Sequence, residues 1–209
     1  MGGSAALYLV LIGAVALERL AELVLSARNA RRAFAAGGIE AEPRSFYAAM
    51  VAVHAAFLLA APLEVVLFHR PFLPALGWPM LGLVLGAMAL RYWAIAALGE
   101  RWNTRLIVVP RTEAVVLGPY RFVRHPNYLA VIVEIFALPL VHSAWVTALV
   151  FSAANAVLLA RRIPREEAAL ALHSNYGARL GARARLIPGA PAARPSGLVA
   201  PESHSSSRR

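Results

Sequence analysis

Apolar runs about as long as a bilayer is thick recur along this chain, and they limit its possible folds more than any motif does. Ala5 to Leu25 is mostly Ala, Leu and Val, Ser45 to Phe68 is a second run and Phe72 to Leu98 a third. About twenty apolar residues in a helix cross a hydrocarbon core of about 30 Å. Tyr128 to Pro139 and Trp145 to Ala160 are two further runs, each somewhat short of that length and separated by His142-Ser143. They read as a tight helical hairpin crossing a thinned or tilted region. The resulting expectation is an all-α polytopic membrane protein of about five transmembrane helices, the last two paired. With 59% hydrophobic residues, the composition suits a membrane rather than an aqueous interior.

The segments between the runs carry the charge. Asn29 to Pro43 reads as a polar loop, His69-Arg70-Pro71 as a short turn, and Gly99 to Val123 as too polar to cross; Leu106 to Val109 within it lies along the interface or forms a short strand. Counted over the gaps between the apolar runs, four arginines (Arg28, Arg31, Arg32, Arg44) fall in the first, one in the second, five (Arg101, Arg105, Arg111, Arg121, Arg124) in the third and none in the fourth, with nine after the last run. Positive residues stay on the cytoplasmic side, which puts the N-terminus outside and the odd-numbered loops inside. Ala5 to Leu25 has no basic segment before it and ends in Glu18, Arg19 and Glu22, so it fits a span better than a cleaved signal peptide. Met1-Gly2-Gly3 opens like a myristoylation site, but Ala6 stands where Ser or Thr is needed. Residues 1–98 thus form a three-span region and 99–187 a second region with the hairpin. Residues 188–209, rich in Pro, Ala, Gly and Ser, read as a disordered tail.

The residue types present narrow the chemistry. Cysteine, aspartate and lysine are absent, which removes disulfides, thiolate metal sites, cysteine nucleophiles and lysine Schiff bases. Glu, His and Tyr remain to handle protons. A net charge of +10 could suit nucleic acid, but the arginines are scattered between apolar spans instead of forming one basic domain. In Gly118-Pro119-Tyr120-Arg121-Phe122-Val123-Arg124-His125-Pro126-Asn127-Tyr128, each proline pushes the residue before it away from helical geometry, so the segment reads as a turn entering a helix at Pro126. Across the hairpin stands Arg161-Arg162-Ile163-Pro164-Arg165-Glu166-Glu167. A hairpin brings its two open ends together, and ionisable groups gathered at a membrane edge mark a site or a stop-transfer cluster. Arg162 and Glu166 share a face if the helix survives Pro164. Glu18, Arg19 and Glu22 read as interfacial ion pairing, and His54 as a histidine bonded to a neighbouring helix.

Gly-Pro-Tyr, Arg-His-Pro-Asn-Tyr, an apolar hairpin and then Arg with Glu-Glu resemble the isoprenylcysteine carboxyl methyltransferase family of integral-membrane enzymes over about Gly99 to Tyr176. Trp102-Asn103-Thr104 and Glu134 are most similar to its bacterial branch that O-methylates alkylpyrones and alkylresorcinols. The resemblance implies S-adenosylmethionine as cofactor, in a pocket on the cytoplasmic side lined by Tyr120, His125, Pro126, Asn127 and Tyr128. It implies that Glu166 holds a polar end of the cofactor and that Ala114 and Val115 offer backbone contacts. Arg162 takes the place of a substrate-linked arginine, and Glu134 or His125 is the base for a phenolic or enolic acceptor. The partners implied are a lipophilic small molecule entering from the bilayer and the surrounding lipids, without metal or nucleic acid. The expected localisation is a bacterial plasma membrane. Three other readings stay open: a phospholipid N-methyltransferase, a membrane reductase using NADPH, and a non-catalytic protein anchored by its arginines to anionic lipid.

Overall fold

A computed structural model of the protein describes residues 3–188. The proposed tail, from Gly189 onward, and Met1-Gly2 fall outside the described residues. Helices dominate: α1 (Gly3–Ala35), α2 (Arg44–Leu67), α3 (Pro74–Leu98), α4 (Pro126–Leu140), α5 (Trp145–His173) and the short α6 (Tyr176–Leu180). Two strands of two residues each, β1 (Ile39–Glu40) and β2 (Ile107–Val108), pair antiparallel with Ile39 opposite Val108. Among the described residues three helices are long and apolar enough to cross a membrane: α2, α5, and α3 extended by its following 3-10 turn to Arg101. The apolar α4 has 15 residues, about 22 Å of rise, and is shorter than a full crossing.

α1 is 33 residues long and corrects the expected loop boundary at Asn29. The polar residues at its end have partners inside the protein. Asn29 Nδ2 donates to the carbonyls of Trp102 at 2.8 Å and Gly99 at 3.3 Å. Ser26 Oγ meets Asn103 Oδ1 at 2.8 Å and accepts the Thr104 amide at 2.9 Å. The helix stops where Gly37 takes φ 81°; the Gly38 amide bonds back to the Ala33 carbonyl at 2.8 Å and that of Gly37 to Phe34 at 3.0 Å, a Schellman ending. Ile39 and Glu40 then pair with β2, and Glu42 is carried into the interior, where it is 5% exposed.

α3 packs along α4, α4 along α5, and α5 along α2, while α1 leans on α2. Tyr8, Ile12 and Val15 of α1, Phe57 and Val65 of α2, Val84 of α3 and Ile135 and Leu138 of α4 form the core. The outward faces are apolar too: Leu7, Leu17, Leu59, Leu85, Trp93 and Leu149 are all at least half exposed. An outer surface of this kind is stable against lipid and not against water.

The α4–α5 hairpin forms as the sequence indicates, but α5 does not stop at Ala160. It runs through Arg161 to Glu167 and on to His173. Pro164 removes one backbone donor without breaking the helix, so Arg162 and Glu166 do share a face. The start of α5 depends on Glu64 of α2, whose carboxylate accepts the amides of Val146 (3.1 Å) and Thr147 (2.6 Å), the Thr147 hydroxyl (2.7 Å) and the Arg70 guanidinium. Glu64→Ala leaves those buried donors unpaired and is expected to lower stability by about 1–3 kcal/mol. Thermal unfolding in detergent checks this, and Glu64→Gln should lose less.

Candidate active site

One cavity of about 770 Å³ lies between α1, α2, α4, α5 and the segment from Glu100 to Tyr128. Its rim is built by the two motifs singled out in the sequence. Gly118 turns at φ 55°, where a Cβ would stand 2.9 Å from Ala97 Cβ and 3.0 Å from Trp93 Nε1, so only glycine lets the Gly118–Arg121 turn lie on α3. His125, at φ −128° and ψ 61°, lies outside the helical region, and Pro126 is the first residue of α4. The sequence expected this turn and entry.

Arg162 is the organising side chain. Its Nε donates to the Tyr128 hydroxyl at 2.8 Å, Nη2 to the Thr104 carbonyl at 2.6 Å, and Nη1 to Glu42 Oε2 at 3.1 Å and Met50 Sδ at 2.9 Å. Tyr128 in turn donates to Glu166. Four separate chain segments thus meet at one buried guanidinium. Burial pushes the Glu42 carboxyl up, and the Arg162 charge opposes that rise.

Glu167, one residue on, ties down the basic turn. It lies 3.1 Å from His125 Nε2, 3.1 Å from Arg124 Nη1 and 2.6 Å from Arg185 Nη2. His125 also stacks on Tyr128, with ring centroids 5.3 Å apart. The amides of Arg124 and His125 donate to the Ala184 and Arg185 carbonyls at 2.9 Å, so the chain after α6 closes the turn from outside. Tyr120 and Tyr176 line the cavity, and burial first, then nearby Glu166 or Glu167, pushes both phenols up. They stay protonated at neutral pH and offer O–H donors and ring faces.

Of the residues expected at the site, Tyr120, His125, Asn127, Tyr128, Glu166, Ala114, Val115, Arg162 and Glu134 all line this cavity. Pro126 is fully buried at the helix start and does not line it. The Ala114 amide already donates to Asn175 Oδ1 at 2.8 Å, which leaves its carbonyl for a ligand. Glu134 sits deeper, with Oε2 accepting from Arg91 Nη2 at 2.7 Å. Sequence reasoning missed Glu42, Met50, Asn155 and Tyr176. Only a lone Asn in an apolar helix, Asn155, carried a visible signal. The donor set fits a zwitterionic, cationic cofactor. Buried polar atoms without partners include Arg124 Nε and Nη2, Asn127 Oδ1 and the Tyr176 hydroxyl, all on residues lining the cavity. These side chains bring donor types suited to a carboxylate and an acceptor type suited to an amine to the cavity wall, beside tyrosine rings whose faces attract a cation.

A lipid-exposed helical bundle holding a charged chamber at one end of its hairpin is an integral membrane protein with an enzyme-like site. The chain belongs to the isoprenylcysteine carboxyl methyltransferase (ICMT) family, whose sequence profile matches residues 80–172, and is thus placed among membrane methyltransferases. A Bacillus subtilis (strain 168) protein named "Uncharacterized protein YpbQ" is 37% identical over 169 residues, 80% of this chain and 99% of that protein. An "Uncharacterized protein" of Haemophilus influenzae (strain ATCC 51907 / DSM 11121 / KW20 / Rd) is 31% identical over 155 residues, 73% of this chain and 88% of that protein. No solved structure matches the chain.

Proposed function

We propose that the protein is an S-adenosylmethionine-dependent O-methyltransferase acting on a small lipophilic acceptor, either a hydroxyl of alkylpyrone or alkylresorcinol type or an isoprenylcysteine-like carboxylate. The observation that carries this reading is the convergence of the Gly118–Tyr128 turn and Glu166 on one cavity that Arg124, Asn127 and Tyr176 also line. The cofactor supplies an electrophilic methyl group on a sulfonium sulfur. Tyr120 offers that cation a ring face, Glu166, held by the Tyr128 hydroxyl, takes an amine or ribose hydroxyl, and Arg124 with His125 takes a carboxylate. The Ala114 and Val115 carbonyls are available to a heteroaromatic ring.

Arg162 commits four of its five N–H donors to protein partners, so its proposed role is to hold Tyr128 and, through it, Glu166 in place. Glu134 is the proposed base, because a phenol with a pKa of about 10 must lose its proton to become a nucleophile. The acceptor's apolar part lies against Leu20, Leu23, Leu58 and Leu59, which line the cavity between α1 and α2, where Leu20 and Leu59 are also exposed on the outer surface. A lipid-dissolved acceptor has an apolar route there.

The test is methyl transfer from labelled S-adenosylmethionine by purified protein in nanodiscs, offered an alkylresorcinol, an alkylpyrone, an isoprenylcysteine and phosphatidylethanolamine. Label is expected on an oxygen acceptor; label on phosphatidylethanolamine alone would reject the O-methyltransferase reading.

The proposal places the protein in a bacterial plasma membrane with the cavity rim on the cytoplasmic side, on the strength of the arginine distribution. Because the chain has no cysteine, single-cysteine variants report this cleanly. Arg111→Cys is expected to react with an impermeant maleimide only in inverted vesicles, and His69→Cys only in right-side-out cells. The opposite pattern would overturn the orientation.

A further inference from the structure

Below the rim, the cavity has a second polar level made largely by parts of the chain that the motifs do not include. Arg19 Nη1 lies 2.7 Å from Glu22, Glu22 3.7 Å from Arg91 Nη1, Arg91 Nη2 2.7 Å from Glu134, and Glu134 3.6 Å from Arg19 Nη2. These four contacts close a ring of alternating charge across α1, α3 and α4. Glu18, 3.0 Å from Arg19, adds a further carboxylate, and His54 on α2 lies in the field of Arg91, Glu134 and Arg19.

Helix rise places this level. Glu134 is six residues along α4 from Tyr128, and His54 four along α2 from Met50, or about 9 and 6 Å deeper than the Arg162 network. Asn155 lies about 10 Å deeper along α5 than Arg162 by the same rise. It is 3% exposed, lines the cavity and makes no side-chain hydrogen bond with the described residues. Arg91 Nε and Glu22 Oε1 are likewise buried and unpartnered. Five charges and a free amide are more than is needed to fasten three helices, since each buried group left unpaired is unfavourable.

We propose that this inner level is the subsite for the acceptor's oxygen: Asn155 and Arg91 donate hydrogen bonds to it, Glu134 receives its proton, and Glu22 and Arg19 are positioning residues that fix the charge and placement of the Arg91–Glu134 pair. The acceptor's O–H bond breaks, the proton passes to the Glu134 carboxylate, and the electron pair stays on the oxygen that becomes the nucleophile. The proposal deepens the methyltransferase reading and rests on it for the reaction. It also brings α1 into the active site, although α1 lies outside the 80–172 match.

A dodecyl nitrophenol, whose phenolate is coloured, reports the ionisation of a bound acceptor without any turnover. It is titrated with pH on full-length protein in nanodiscs, for the parent, Glu22→Gln, Arg91→Met and Asn155→Leu. Glu22→Gln is expected to lower the bound reporter's pKa and Arg91→Met to raise it, each by about one unit, because one charge of the ring is removed beside the oxygen. Asn155→Leu is expected to weaken reporter binding about tenfold. A ring that only fastens helices would leave the reporter's pKa where it is in the parent. Should Arg91→Met fail to fold, the near-isosteric Glu22→Gln and Asn155→Leu decide. Unchanged pKa in Glu22→Gln together with parent-like binding by Asn155→Leu overturns the proposal. Binding of S-adenosylhomocysteine, measured on the same samples, separates the two claims: its absence in the parent rejects the methyltransferase reading, whereas the reporter decides the inner subsite whichever way that falls.

Discussion

Arg162→Leu is expected to destabilise the protein by about 3–5 kcal/mol, because it leaves a buried carboxylate without its counter-charge. The side chains of Arg162 and Glu42 are 5% and 1% exposed, so neither can turn to water when the other is lost. The Thr104 carbonyl and the Tyr128 hydroxyl lose a donor as well. Arg162→Lys should recover little, since one ammonium on a flexible stem cannot present the planar fork that reaches these partners together. Adding Glu42→Leu to Arg162→Leu removes the orphaned charge and is expected to restore much of the melting temperature while leaving methyl transfer impaired. Equal melting of the single and double variants would show that the pair is not the source of the loss.

Glu166→Ala should act on binding and turnover more than on folding. Its carboxylate accepts from Tyr128, which Arg162 also holds, so the rim keeps one of its two ties when Glu166 is removed. A charge-assisted hydrogen bond to a cofactor amine or ribose contributes about 1.5–3 kcal/mol, and its loss should lower cofactor affinity about tenfold to a hundredfold. Glu166→Gln keeps an acceptor for Tyr128 but not the charge. It should therefore melt like the parent and still bind cofactor weakly, which a purely architectural Glu166 would not do.

The parts of this account that were legible in the sequence were those written locally. Apolar run length announced the helices, two His-Pro and Gly-Pro steps announced the turn, and a short apolar hairpin implied that Tyr128 and Glu166 would face each other. The α1 boundary was misplaced because Ser26 and Asn29 look like loop residues until their partners, Thr104 and Trp102, fold over them. Glu42 could not be recognised at all. It lies in a polar connection, and its partner Arg162 is 120 positions away, brought close only after β1 pairs with β2. Arg19 and Glu22 were visible as charges at the end of an apolar run, for which interfacial pairing was the economical reading, and Arg91 stood as a single charge inside the third run. Closing them into a ring required knowing that α3 packs along α4, with α1 beside them. Pro164 misled in the other direction, since a single lost backbone bond is tolerated inside a helix whose next turn is anchored by Glu166 and Glu167.

Cofactor recognition at the rim is the claim on which the rest depends, and calorimetric titration of S-adenosylhomocysteine into the purified protein tests it directly. One saturable site per chain is expected, weakened about tenfold to a hundredfold by Glu166→Ala. No binding by the folded parent, or undiminished binding by the variant, would contradict it.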